Sequence, residues 1–198
     1  AGAARRVALV AQTAADARDV MVEGESGILE CSPPWFKPVY EPSKRRLTWP
    51  NGAIATTYSG DEPDQLRGPQ HDLAWADEPA KWRYGERAWD NMEFGLRLGA
   101  HPRVVATTTP RPIKLIRDLL ADPETVTTSG STYENFHNLA PSFIRRVVRK
   151  YENTRLGRQE LHAQLLEDVP GALWTRAVID AGRVLKAPPL VRIVVAID

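Results

Sequence analysis

Apolar residues along this chain fall into two rhythms, short unbroken runs and stripes of helical period, and the two alternate. The first run is Arg6–Ala11, RVALVA, of the length and density of a buried strand. Thr13 follows with Asp16 three residues on, the spacing of a helix N-cap with a reciprocal partner, and Ala17, Val20 and Met21 continue at helical spacing up to Gly24. Residues 31–43, CSPPWFKPVYEPS, are too rich in proline for either element and read as a loop. In RRLTWPNGAIATTY two β-type runs flank Pro50-Asn51-Gly52, which predicts a hairpin. A polar, turn-rich stretch, 59–70, leads to a strand at Leu73–Ala76 and then to a helix with Trp89, Met92 and Leu96 on one face, ending near Gly99. RVVATTT, 103–109, reads as another buried strand stopped by Pro110, IKLIRDLLADP as a helix with Ile113, Ile116 and Leu120 inward, and TVTTSGST as a further strand.

Beyond residue 135 the strand-type runs stop. APSFIRRVVRKYE puts Phe143, Ile144, Val147, Val148 and Tyr151 on one helical face, and RLGRQELHAQLLED does the same with Leu161 and Leu165. VPGALWTRAVIDAGRVLKAPPL reads as a connector closed by Pro188-Pro189, and VRIVVAID as the start of a new strand. Alternating strands and helices imply an α/β fold with a parallel sheet covered on both faces, whose ligands bind outside the carboxyl ends of the strands.

Composition changes this picture little. The 198 residues are 42% hydrophobic and 26% charged, ordinary for a globular protein with a real core. A formal net charge of +1 does not by itself announce a nucleic-acid binder. The one cysteine, Cys31, excludes an internal disulfide, and the four histidines show no zinc spacing with it. No apolar run approaches the ~20 residues of a transmembrane helix. The first residues open almost directly into a strand and the last residues stop in one, so both ends read as cuts through a longer protein. The six tryptophans read as core and lid packing.

The candidate chemistry sits at predicted strand ends. HDLAWADEPAKW, residues 71–82, runs Leu73-Ala74-Trp75-Ala76 into Asp77 and Glu78. An apolar strand ending in Asp-Glu has the form of a Walker B motif, in which the Asp holds Mg²⁺ through its water shell and the Glu polarises a water for attack on the γ-phosphate. A strand end with two solvated acids has the same pattern. Thr107, Thr108 and Thr109 end the next strand in three hydroxyls, suited to hydrogen-bonding phosphate or the attacking water, although Thr is also simply favoured in strands. Arg67, in QLRGPQ, offers a guanidinium for charge on a transferring phosphoryl group, or a solvated loop side chain.

Four blocks in order, LRGPQHDLAWADEPAKW, ATTTPRPIKLIRDLLADP, GSTYENFHNLAPSFI and YENTRLGRQELHAQLLEDVPGALWT, resemble the large terminase subunit of tailed bacteriophages and gene transfer agents. The resemblance implies an N-terminal ASCE (RecA-like) P-loop NTPase domain, a C-terminal RNase H-like nuclease, and a motor that packages double-stranded DNA into proheads and cuts the concatemer. It implies ATP and Mg²⁺ as cofactors, with Mg²⁺ or Mn²⁺ for the nuclease. The partners it implies are the portal protein, the small terminase subunit and a homo-oligomeric ring such as a pentamer. The implied place is the host bacterial cytoplasm, docked transiently on the prohead. Residue by residue, Asp77 matches the Mg²⁺-associated acid, Glu78 the catalytic carboxylate, Thr107–Thr109 the coupling motif, Arg67 the arginine offered to a neighbouring subunit, and Asp198 the first nuclease metal ligand.

One departure stands out: no G-x-x-x-x-G-K-[ST] occurs anywhere in the sequence. The expectation is therefore an internal fragment, inactive by itself: a partial ATPase core at 1–135, a helical lid or linker at 136–169, a connector at 170–190 and the first nuclease strand at 191–198. Lys44, Arg45, Arg46, Arg145 and Arg149 are candidate DNA contacts, able to neutralise phosphates without reading sequence, or plain solvated positions. Two other readings stay open: a helicase-like ATPase of superfamily 1 or 2, and a non-catalytic remnant or assembly domain.

Overall fold

A computed structural model of the chain describes residues 5–152, 154–166, 173–174 and 176–183. The chain divides into two compact units, 1–165 and 166–198, and the sheet lies in the first. Among the described residues six strands line up in the order β2-β3-β4-β1-β5-β6. They are β1 (Arg6–Ala11), β2 (Val39–Glu41), β3 (Arg46–Thr48), β4 (Ile54–Ser59), β5 (Leu73–Asp77) and β6 (Arg103–Thr107). Strands β4, β1, β5 and β6 are mutually parallel, while β3 pairs antiparallel with both β2 and β4. The sheet is thus mixed, a parallel core extended by a hairpin. The hairpin forms where expected: Gly52 (φ 83°) takes the left-handed position after Pro50-Asn51, and the Trp49 N–H donates to the Ala53 carbonyl at 2.9 Å. Strand β2 lies inside the proline-rich stretch read as loop. Its three residues are extended because β3 gives their backbone a partner.

Strand β1 is central and buried on both faces. Ala8 and Val10 join one apolar cluster with Ala74, Ala76, Trp82, Trp89, Met92 and Leu115; Leu9 and Ala11 join the other with Ala17, Met21, Val22, Leu47 and Ala55. The first cluster is roofed by α3 (Gly85–Gly95) and α4 (Lys114–Ala121). The second is roofed by α1 (Ala14–Asp16) and the π-helical stretch Ala17–Val22 that continues it, followed by α2 (Ile28–Cys31). Thr13 caps α1 as expected, its hydroxyl accepting from the Asp16 N–H at 3.1 Å while Asp16 accepts from the Thr13 N–H. The π-helical winding changes which residues face inward. The Glu23 N–H donates to the Arg18 carbonyl, five residues back, so Val22 is buried and Val20 is exposed, against the α-helical expectation.

Other expectations need correction. Helix α3 stops at Gly95, four residues before the predicted end, and α4 buries Leu115 and Ile116 while Leu120 is exposed. Residues 125–130 form no strand, and Val126 is 90% exposed, because among the described residues no neighbouring strand satisfies their β-propensity. Among the described residues strand β6 is an edge strand, not a buried one: it pairs there only with β5, and Val105 is 54% exposed. Among the tryptophans, Trp82 and Trp89 are core, but Trp35 and Trp174 are exposed.

The helical region starts with α5 (Pro141–Phe143), which passes through a π-helical stretch, Ile144–Val148, into α6 (Arg149–Tyr151). Thr154 then caps α7 (Arg155–Glu160) by accepting from the Gly157 N–H at 3.0 Å. Gly157 is needed there, since an added Cβ would lie 1.8 Å from the Tyr151 carbonyl oxygen. The predicted helix was longer. It ends because Ala163 turns left-handed (φ 50°) and the Gln164 N–H closes back on Arg158. In the second unit, α8 spans Arg176–Ala181 within the predicted connector. Asp198 and residues 184–198 lie outside the described residues.

Candidate functional site

The carboxyl ends of the four parallel strands gather the polar groups. Ser59 ends β4, and its hydroxyl donates to the Gln12 carbonyl just past β1 at 3.0 Å. Asp61, two residues on, accepts from the Arg83 N–H at 2.7 Å, tying the β4 end to the turn after β5. Sequence reading missed Gln12, Ser59 and Asp61; the signal available was their position directly after two apolar runs.

Asp77 is the last residue of β5 and registers with Thr107, the last residue of β6. The Thr107 hydroxyl donates to Asp77 Oδ1 at 2.8 Å, and the Trp75 indole N–H donates to Thr107 Oγ1 at 3.0 Å. The Asp77 carbonyl accepts from the Trp82 indole N–H at 3.0 Å. Oδ2 takes no hydrogen bond among the described residues.

Glu78 is left-handed (φ 50°, ψ 49°), a conformation unfavourable for a residue with a Cβ. The next three residues, Pro79–Lys81, wind into a 3₁₀ turn, and the Glu78 N–H donates to the Thr107 carbonyl at 2.6 Å. This turns the Glu78 carboxylate across the end of β6. There Oε2 accepts from the Thr109 N–H at 3.3 Å, lies 3.5 Å from the Thr108 hydroxyl, and pairs with Lys81 Nζ at 3.7 Å. The Lys81 side chain, not among the residues singled out from sequence, makes this pair from a partly exposed position. The structure therefore brings together five of the residues singled out from sequence: Asp77, Glu78, Thr107, Thr108 and Thr109.

It does not bring Arg67 to them. Leu66 is buried beside Gly95 at the far end of α3, and Arg67 follows it, exposed and without an ion pair among the described residues. Glu78 and Pro79 sit at the opposite end of α3, beside Gly85. The 11-residue helix between them spans roughly 16 Å. The basic candidates are elsewhere too. Lys44 and Arg46 both pair with Glu41, at 2.6 and 3.0 Å, and Arg45 donates to Gln65 at 3.2 Å. Arg145 and Arg149 are exposed on the π-helical stretch and α6.

Among the described residues no group of three or more His, Cys, Asp or Glu side chains is placed to hold a metal ion, and no helix is long and apolar enough to cross a membrane.

Comparison with known proteins agrees with this architecture. Two solved structures share the fold at 15% sequence identity. The large terminase ATPase domain of Thermus phage P74-26 has a TM-score of 0.56, covering 81% of this chain and 76% of that one. The large terminase of a second, thermophilic bacteriophage, solved in complex with ADP, has a TM-score of 0.64, covering 82% of this chain and 41% of that one. This chain thus corresponds to less than half of the ADP-bound terminase. Among curated proteins no sequence matches. The family model for the N-terminal part of the T4-like-virus type of terminase large subunit matches residues 2–180. The chain belongs to the terminase large subunit family, within its N-terminal part.

Proposed function

We propose that the Asp77–Glu78 edge is the hydrolytic half of an ATP site in a DNA-packaging motor. The observation that carries this is the pairing of two strand ends: Asp77 bonded to Thr107, and Glu78 turned by its left-handed backbone onto Thr108 and Thr109. The ADP held by the thermophilic bacteriophage's terminase supports a nucleotide as the ligand.

The oxygen donors suit Mg²⁺, a hard cation that keeps several waters and binds one or two carboxylates plus substrate phosphates. Asp77 would hold it through Oδ2, its other oxygen being occupied by Thr107. Bound there, Mg²⁺ would supply charge neutralisation for the substrate phosphates. Glu78 accepts a proton from, or orients, the attacking water, and its contacts with Lys81 and Thr109 hold the carboxylate at the end of β6. Thr108 and Thr109 sense the same carboxylate from the end of β6, so a change at the γ-phosphate moves both strand ends together. The phosphate-cradling loop is not in residues 1–198, and in the whole protein it completes this site beside the open edge of β6.

Arg67, placed away from its own acids, is offered to the site of a neighbouring subunit in a homo-oligomeric ring. Double-stranded DNA, the portal protein and the small terminase subunit are the partners of that ring. Lys44–Arg46, Arg145 and Arg149 supply phosphate contacts, and Asp198 belongs to a metal-dependent nuclease in the same protein. Glu78→Gln in the full-length protein tests the core of the proposal: DNA-stimulated ATP hydrolysis is lost while nucleotide binding persists. Wild-type turnover in that variant removes Glu78 from the mechanism.

A further inference from the structure

Trp75 carries a hydrogen bond that its packing does not require. It is half-buried against the cluster beneath the π-helical stretch, where an indole, a phenyl ring or a leucine would serve equally as an apolar surface. Its N–H instead reaches diagonally across the sheet, past its own register partner Val105, to Thr107 Oγ1 at 3.0 Å.

The direction of that contact fixes the next one. An indole nitrogen only donates, and an ionised carboxylate only accepts. Thr107 has one hydroxyl hydrogen. With a lone pair taken by Trp75, that hydrogen points to Asp77 Oδ1 at 2.8 Å. A free threonine rotor has three staggered positions; here the donor behind it and the acceptor in front leave one. Trp75 and Asp77 are two apart on β5 and so share a sheet face, which makes the relay possible.

We propose that Trp75 is a positioning residue of the hydrolytic site. Its indole N–H locks the Thr107 hydroxyl onto Asp77 Oδ1, so that Oδ2 is presented in one orientation to the cation. The inference rests on the reading of Asp77 as the Mg²⁺-associated acid. Nothing in it requires Trp75 to touch nucleotide or metal.

The test uses full-length protein with ¹⁵N-labelled tryptophan. Trp75→Phe identifies the Trp75 indole resonance and keeps the apolar contact. In wild type this N–H is expected to exchange slowly with solvent. Thr107→Val should shift the resonance and speed its exchange, and Thr107→Ser, which restores the hydroxyl, should return it. In parallel, the Mg²⁺ concentration for half-maximal ATP hydrolysis should rise about threefold to tenfold in Trp75→Phe, the loss expected for one neutral hydrogen bond, with the melting temperature little changed. A Trp75 resonance indifferent to Thr107→Val overturns the proposal. So does a Trp75→Phe variant with wild-type Mg²⁺ dependence when Asp77→Asn shifts that dependence strongly. If Asp77→Asn itself leaves the Mg²⁺ dependence unchanged, the metal reading fails and the positioning role falls with it, while the Thr107-dependent resonance still reports the hydrogen bond.

Discussion

The indole of Trp82 lies against the α-carbon of Gly60, so close that a Cβ added to Gly60 would sit 2.5 Å from Trp82 Cδ2. The same indole donates from Nε1 to the Asp77 carbonyl, and Gly60 itself donates to the Ala11 carbonyl at 2.7 Å. The ends of β1, β4 and β5 are therefore clamped through one ring. Gly60→Ala must push that ring away, costing about 1–3 kcal/mol as overpacking does and loosening Asp77. A melting-temperature decrease that largely disappears when Trp82 is also shortened to Leu would establish the contact as the cause. Additive losses in the double variant would count against it.

Arg67 and Glu78 lie at opposite ends of α3, so the role proposed for Arg67 at a neighbouring subunit can be tested apart from the one proposed for Glu78. Arg67→Ala should abolish hydrolysis in homogeneous full-length rings, yet rings mixed with Glu78→Gln subunits should regain turnover at interfaces pairing an intact Glu78 with an intact Arg67. Absence of recovery at every mixing ratio would assign Arg67 a role within its own subunit.

His71 gives the fold a pH dependence of predictable sign. Its side chain is only 5% exposed, edge-on to the Tyr58 ring with centroids 5.5 Å apart, and Nε2 has no hydrogen-bond partner among the described residues. Burial holds the imidazole below its ordinary value of 6.5, Arg6 adds to that effect and Asp72 opposes it. The unfolded chain takes up this proton more readily than the folded one, so His71 leaves stability intact above pH 6.5 and erodes it as pH falls below that value. Melting temperatures measured between about pH 7.5 and pH 5.5, a window that brackets the ordinary imidazole value, should fall less steeply in His71→Phe than in wild type. Parallel slopes would mean that His71 is not protonated on unfolding in this range.

The legibility of these features follows the range of the interactions behind them. Thr13 and Asp16 cap a helix through a contact three residues long, and Pro50-Asn51-Gly52 turns a hairpin by its own backbone preferences, so both are readable. Asp77 and Glu78 are readable as a strand end because the run before them is short and apolar. What the string hides is set by partners distant in sequence. Among the described residues, the exposure of Val105 depends on β6 having no second neighbour, and the loop state of 125–130 on having none at all. The swap of Val20 for Val22 depends on π-helical winding that no α-periodic template anticipates. Trp75 reads as packing because its hydrogen bond goes to a residue 32 positions away.

Glu78 combines the proposed catalytic carboxylate with an unfavourable backbone, and the two can be separated by substitution. A left-handed residue with a Cβ costs about 1–2 kcal/mol relative to the right-handed form, a cost glycine does not carry. Glycine in turn loses more backbone entropy on folding, roughly 0.5–1 kcal/mol. The Lys81 pair is partly exposed and adds little. Glu78→Gly should thus fall between neutral and about 1.5 kcal/mol more stable than wild type, the difference of those two terms, while losing ATP hydrolysis. Glu78→Gln keeps the Cβ and should lose hydrolysis without that gain. Comparing the melting temperatures of the two variants isolates the backbone contribution. A Glu78→Gly variant clearly less stable than Glu78→Gln would show that the left-handed turn is held by the side chain rather than imposed on it by the meeting of β5 and β6.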